Sequence, residues 1–444
     1  MKLVRFIPAI AAIALGSASV AAKPSLDPRI TALVSAVSTS DLRAYDTHLV
    51  DFYTRNDFSE DLNSATRGVF AARDWIESQF EGDARRSGGR MSVALDTFLH
   101  DKTARTPRAV TESSIIATLR GDAAGPTYVM SSHYDDCDGD CTDGRGRAPG
   151  ADDNGSGTAA VLEAAKIMAP HHFYGTIIFA VFDGEELGLW GSDHYARELK
   201  ANGTNVLADL NNDIIGASNA PLGSNDRRIV RVFSQGLPID ATVNAVNLAG
   251  SENDSPSREL ARFVKEVDDR YVAPIQALLI YRADRFHRGG DQESFTTQGF
   301  PAIRYVEVHE DFSHQHQNVR VENGVQYGDL PRYIDATYLA GATKMNVAAL
   351  AALALGPDEP SGAEMLIGSL ANDSTLRWKP AARAASYEIV WRATDAPIWQ
   401  HAKNVGNVTQ ATVPVSKDNF ILGVRSVDAS GLRSPVAYPA GVRR

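Results

Sequence analysis

The sequence predicts an α/β protein: a three-layer αβα domain on a mixed, mainly parallel sheet, followed by a small all-β sandwich. Three observations carry this. Between residues 91 and 307 short apolar runs alternate with segments of helical spacing. Those runs are nearly unbroken, as strands covered on both faces require. Beyond Gly356-Pro357 and the residues DEPSG the helical spacing stops, and short strands with turn residues between them take over.

In chain order, the opening MKLVRFIPAIAAIALGSASVAAKP places Lys2 and Arg5 before an apolar run from Phe6 to Leu15 and then small residues. This is the pattern of a signal peptide over residues 1–22; the run is too short to span a bilayer. The mature chain is expected to be secreted or periplasmic. Residues 29–55 have helical spacing, with Ser40 placed to cap a second segment, and Phe70, Trp75, Ile76 and Phe80 mark another helix. MSVALDTFL, SSIIATLRG and TYVMSSHYD read as strands, then GTAAVLEAAKIMA as a helix. The strand GTIIFAVFDGEE, the helix LGLWGSDHYARELK and the strand VLADLNNDIIG follow. After a long polar stretch come the helix SRELARFVKEVDDRY, the strand FPAIRYVE and a closing helix within residues 329–356.

These boundaries give a catalytic-sized domain over 23–355, a linker over 356–363 and a β-sandwich over 364–444. Hydrophobic residues are 43% and charged residues 22% of the chain, as in globular proteins. There are 44 basic and 55 acidic residues, so losing Lys2 and Arg5 takes the net charge from −11 to −13. Without basic clusters, such a chain is not expected to bind nucleic acid, and no later segment reads as a membrane span.

The densest chemistry lies in SSHYDDCDGDCTDGRGRAPGADDNGSG, from Ser131. It is not an EF-hand: counting from Asp136, Cys141 occupies the position of the turn glycine and Arg147 that of the bidentate acid. Cys137 and Cys141, the two cysteines of the chain, are too few for a cysteine zinc knuckle and are expected to form a local disulfide. That leaves His133 and Asp135 at a strand end and Asp152-Asp153 before a helix. Later strands repeat the feature. TIIFAVFD runs into Glu185-Glu186, whose adjacent carboxylates repel unless a cation or proton intervenes. LADLNNDIIG delivers Asp213 among apolar residues, and HEDFSHQHQNV supplies His309, His314 and His316. Acids and imidazoles gathered at the C-terminal ends of strands occupy the usual active-site edge of an open α/β sheet, and nitrogen and carboxylate donors without thiolate suit Zn²⁺.

The ordered motifs HYD, GADDNGSG, DGEELGLWGS, NNDIIG and a late His resemble the di-zinc aminopeptidases of metallopeptidase family 28, over about residues 25–355. The resemblance implies a zinc-dependent exopeptidase acting on peptides, with two zinc ions per chain. It implies that His133 and Asp213 hold one ion, that Asp152 bridges both with a cis peptide after it, and that Glu186 holds the other. Glu185 would be the general base, and Asp135 would orient His133. For the last ligand, the family pattern fits a frame starting at His314 better than one starting at His316, although Asn318 and Val319 replace its Asp and Thr. His287, four residues before Asp291, is the candidate oxyanion donor where the family often has Tyr. The tail from Leu366 to Gly441 resembles a fibronectin type III domain, with Trp378 and Tyr387 in its core and Phe420 where a corner Tyr usually stands. Carboxypeptidases and glutaminyl cyclases share the architecture, and metal-free receptor relatives are the non-enzymatic alternative.

Overall fold

Alternation within single strands builds the centre of the molecule, a computed structural model that describes residues 26–443 apart from 62, 105, 123–124, 220–224, 237–253, 287 and 369. The segment with the signal-peptide pattern and His287 lie outside the described residues. Eight strands form one mixed sheet: β1 (Met91–His100), β2 (Val110–Leu119), β3 (Thr127–His133), β4 (Thr176–Phe182), β5 (Val206–Asn212), β6 (Ile229–Ser234), β7 (Gln276–Ile280) and β8 (Ala302–Glu307). Their order is β1-β2-β4-β3-β5-β8-β6-β7. The inner run β4-β3-β5-β8 is parallel, whereas β1, β2 and β4 pair antiparallel, as do β8 and β6.

Along β4, Ile177, Phe179 and Val181 enter one core and Ile178, Ala180 and Phe182 the other. The period of two therefore divides the apolar run between two faces, which is why it reads as unbroken. The larger core packs the sheet against the helices Pro28–Ser35, Thr39–Asp51, Val69–Arg86, Gly157–Met168, Pro256–Tyr271 and Ala336–Leu355. The smaller one packs it against Trp190–Ala201 and Gln292–Thr297. Ala336–Leu355 is apolar and long enough to cross a bilayer, but 89% of its window is buried inside the protein.

Several boundaries differ from those the residue pattern implies. The cap of Thr39–Asp51 is Ser38, whose hydroxyl accepts from the Asp41 amide at 3.2 Å, and not Ser40, which lies in the first turn. Strands β6 and β7 fall within or beside the stretch that reads as polar and irregular. They lie toward one edge of the sheet, where alternate residues such as Arg231 and Gln276 face outward and dilute the apolar signal.

The C-terminal region forms a four-stranded sheet (Glu364–Leu366, Ser374–Arg377, Gln410–Val413, Ala440–Val442) and a three-stranded one (Ser386–Ala393, His401–Gly406, Phe420–Val427). Between them are Leu376, Trp378, Tyr387, Ile389 and Val424. These sheets dock on the helix Pro256–Tyr271 through buried charge. Arg392 Nη2 donates to both carboxylate oxygens of Asp254 at 2.7 and 2.9 Å, Arg262 reaches the same Asp254 at 2.6 Å, and Trp399 donates to Glu259 at 2.9 Å. Two guanidinium groups on one carboxylate offset the desolvation of that acid.

Candidate metal centre

Parallel strands bring their C-terminal ends to one edge, and four of them deliver polar side chains there. His133 is the last residue of β3, and its neighbour across the ladder is Phe182, the last of β4. The chain leaving β4 therefore places Glu185 and Glu186 beside it. Asp213 follows the last residue of β5, and the loop after β8 returns His316 to the same place. The fifth element is the tight turn Ala151–Ser156 ahead of the helix Gly157–Met168.

Two groups meet across Asp153. His133 Nε2 lies 3.5 Å from Oδ1 of both Asp153 and Asp213, and 4.0 Å from Glu185 Oε2. His316 Nε2 lies 3.1 Å from Asp153 Oδ2 and 2.9 Å from Glu186 Oε2. Asp153 thus turns one oxygen to each imidazole. Asp135 stands behind: His133 Nδ1 donates to its carbonyl at 3.2 Å with Oδ1 3.3 Å away, and Oδ2 accepts from the Glu186 amide at 3.0 Å. It aims the free Nε2 into the site and ties β3 to the loop after β4.

Two of the expected ligands give way to near neighbours. Asp152 faces away: its Oδ1 accepts from the Gly216 amide at 2.7 Å, and its carbonyl accepts from the Ser156 hydroxyl at 2.7 Å. Asp153 occupies the position between the imidazoles, and the cis peptide follows it, joining Asp153 and Asn154. Asp329 holds the turn by accepting from both the Asp152 and Asp153 amides at 2.8 Å. His314 is stacked on Tyr333 with ring centroids 3.6 Å apart. His316, at φ 51°, projects into the site instead. Asn318, in place of the pattern's Asp, donates to Asp138 at 3.0 Å and so joins this loop to the rim loop closed by the Cys137–Cys141 disulfide.

Carboxylates dominate the electrostatics of the site. Burial lowers the affinity of His133 for a proton, but Glu185 and Asp213 outweigh it and hold the imidazole well above its ordinary pKa. Glu186 above all pushes His316 up to about 11. Burial, reinforced by Asp213 and Glu186 against His133, raises the Glu185 carboxyl well above the usual range. For Asp213 burial is more than offset by Arg304 and His133, so its pKa falls. His133 Nε2, Asp213 Oδ1, Asp153 Oδ2, Glu186 Oε1 and His316 Nε2 are all buried without an aligned hydrogen bond. Five orphaned donors of nitrogen and oxygen, converging in two groups, fit divalent zinc.

Two arginines complete the site without belonging to any of the motifs. Arg304, in the interior of β8, is fully buried and places Nη2 2.7 Å from Asp213 Oδ2 and Nη1 3.0 Å from Asp284 Oδ2. Its signal was legible: an Arg inside a buried strand needs an acid nearby. Arg288 follows His287 in the chain, with Nη2 3.7 Å from Asp153 Oδ2. With Glu185, Leu189, Arg285 and Glu293 it lines a cleft of about 420 Å³ over the two groups.

The profile of peptidase family M28 matches residues 114–320, which include every residue of the two groups. A probable zinc metalloprotease of the fungus Leptosphaeria maculans is 44% identical over 423 residues, covering 94% of this chain and 98% of that protein. One from Pyrenophora teres is 42% identical over 421 residues, covering 93% and 87%. Among solved structures, Legionella pneumophila LapA aminopeptidase superposes with a TM-score of 0.53 at 20% identity, over 74% of this chain and 76% of that one. That likeness speaks for the fold, the three-layer α/β sheet; the fungal relatives, similar over nearly their whole length, speak for the family. The chain belongs to peptidase family M28 and is a zinc metalloprotease, a hydrolase of peptide bonds.

Proposed function

We propose that the protein is an aminopeptidase that removes N-terminal residues from peptides and holds two zinc ions, with Glu185 as general base. One observation carries this reading: a single carboxylate, Asp153, faces two separate imidazole–carboxylate groups. His133 and Asp213 with Asp153 Oδ1 would hold one ion, and His316 and Glu186 with Asp153 Oδ2 the other. Glu185, at 4.0 Å the most distant of the three acids around His133 Nε2, stays free for proton transfer. Bound zinc would supply Lewis acidity toward the scissile carbonyl and lower the pKa of water.

The chain's own residues do the rest. Glu185 accepts the proton of the attacking water and returns it to the leaving amine, because it is the acid not committed to either group. The Asp135 carbonyl, 3.2 Å from His133 Nδ1, keeps the tautomer with Nε2 free, with the carboxylate Oδ1 beside it. Arg288, at the cleft, offers the donor for the developing oxyanion that His287 was expected to supply. Glu293, on the same wall, can accept the substrate's N-terminal ammonium.

The same arginine favours a second reading. A half-buried guanidinium beside the reacting groups also suits a terminal carboxylate, and Arg285 lines the cleft with it, so a carboxypeptidase would use these walls too. Zinc analysis together with turnover of free and N-blocked aminoacyl amides separates the two. Two zinc per chain and cleavage of the free-amine substrates alone is expected; cleavage confined to blocked peptides with a free carboxylate overturns the aminopeptidase reading. Glu185→Gln should keep its zinc and lose about 10²–10⁴-fold in kcat. We extend the proposal to export through residues 1–22 and to a fibronectin type III-like fold for the tail. N-terminal sequencing of the protein recovered from culture medium tests the first.

A further inference from the structure

Three carboxylates outside the zinc groups meet without a base to answer them. Asp57 comes from the loop after the helix Thr39–Asp51, Glu112 from the third residue of β2, and Asp183 from the residue after β4. One oxygen of each lies within 4.8 Å of the others, and the residues are 4%, 0% and 1% exposed. Asp183 Oδ2 accepts from the Ser113 amide at 2.8 Å. Asp183 Oδ1, Asp57 Oδ1 and both oxygens of Glu112 accept no aligned hydrogen bond; their nearest polar neighbours are one another and, for Asp183, the Tyr134 hydroxyl. Glu112 is aimed into the group: its Oε2 packs so closely on Gly184, the residue after Asp183, that a Cβ there would come within 2.9 Å.

Among the described residues none of the three forms an ion pair. Arg55, two residues before Asp57, is committed elsewhere: it donates to the carbonyls of Tyr134, Leu49, Pro149 and Gly150 and pairs with Asp136 at 3.2 Å. A fully buried carboxylate with two bare oxygens is unfavourable unless it is neutralised or ligated. Here three segments distant in sequence converge to place such oxygens together.

We propose that Asp57, Glu112 and Asp183 bind a calcium ion, separate from the zinc pair. The donors are all oxygen, with neither imidazole nor thiolate, which selects a hard cation over zinc. Calcium oxygens at 2.3–2.6 Å stand up to roughly 5 Å apart across the ion, which accommodates the observed spread. Magnesium keeps several waters and suits a closed, fully buried site less well. The ion would pin the loop bearing Asp57 and the strand β2 to the chain between β4 and Glu185-Glu186. It would therefore stabilise the segment that carries the proposed base. The proposal does not depend on aminopeptidase activity.

The test uses the full-length, zinc-saturated protein, stripped of calcium with EGTA and returned to calcium-free buffer containing zinc. Adding CaCl₂ is expected to raise Tm by several degrees and to bind one calcium per chain by direct metal analysis, with zinc content unchanged. Glu112→Gln and Asp57→Asn should each abolish the shift and the bound calcium. If either variant fails to fold, the other and the wild-type stoichiometry still decide. No calcium bound and no shift in the wild type overturns the proposal and leaves shared protons to neutralise the acids. A shift that persists in both variants also overturns it, placing calcium elsewhere, for example at the Asp-rich rim loop.

Discussion

Asp153 reaches His316 across the cleft, with Oδ2 3.1 Å from Nε2, while its other oxygen lies 3.5 Å from His133 Nε2. The residue before it and the histidine two positions before His316 are both turned away. His316→Ala should therefore reduce zinc from two ions to one per chain, and Asp153→Ala should weaken both. His314→Ala should leave both in place and cost only its stacking on Tyr333. Metal analysis of the three variants decides among these assignments.

Arg304 links the site to the sheet by pairing with Asp213 and Asp284, and burial of all three makes the pairing obligatory. Arg304→Met removes the arginine partner of Asp213, whereas Asp284 keeps Arg285 and Gln292, and should destabilise the protein by about 3–5 kcal/mol. Urea unfolding measures it. A loss below about 1 kcal/mol would show that the acids find other partners.

Asp268, on the helix Pro256–Tyr271, is fully buried with neither oxygen hydrogen-bonded, and burial, followed by Asp269, raises its pKa well above the usual value. A raised folded pKa means that this group's contribution is complete below the unfolded value, near 3.9, and is lost as pH rises through the folded one. Asp268→Asn should match the wild type in Tm near pH 4 and exceed it increasingly toward pH 8. A constant offset across that range would sink the assignment.

The Cys137–Cys141 bond closes a loop of only a few residues, so removing it should cost about 2 kcal/mol or less. Its larger effect should fall on function, because Asn318 ties the loop carrying His316 to Asp138 inside the rim. Cys137→Ser/Cys141→Ser should bind zinc more weakly while unfolding almost normally; titration with a zinc chelator measures the difference.

The sequence by itself determined the α/β class and the placing of His133, Glu185, Glu186 and Asp213 at strand ends. Strand periodicity and burial are local properties, and each of those residues is positioned by the strand that precedes it. It also supplied Asp135 and the disulfide pair. Only the tertiary structure decided between Asp152 and Asp153 and between His314 and His316. Both choices lie in irregular backbone, where no period fixes which side chain faces inward and contacts distant in sequence settle the matter: the Asp329 carboxylate under the turn, Tyr333 under His314. The partners of Arg304, an arginine conspicuous within a buried strand, and the cluster of Asp57, Glu112 and Asp183 lie beyond the sequence for the same reason. Their meaning depends on which carboxylates end up facing them, and that is a property of the packed sheet and its loops.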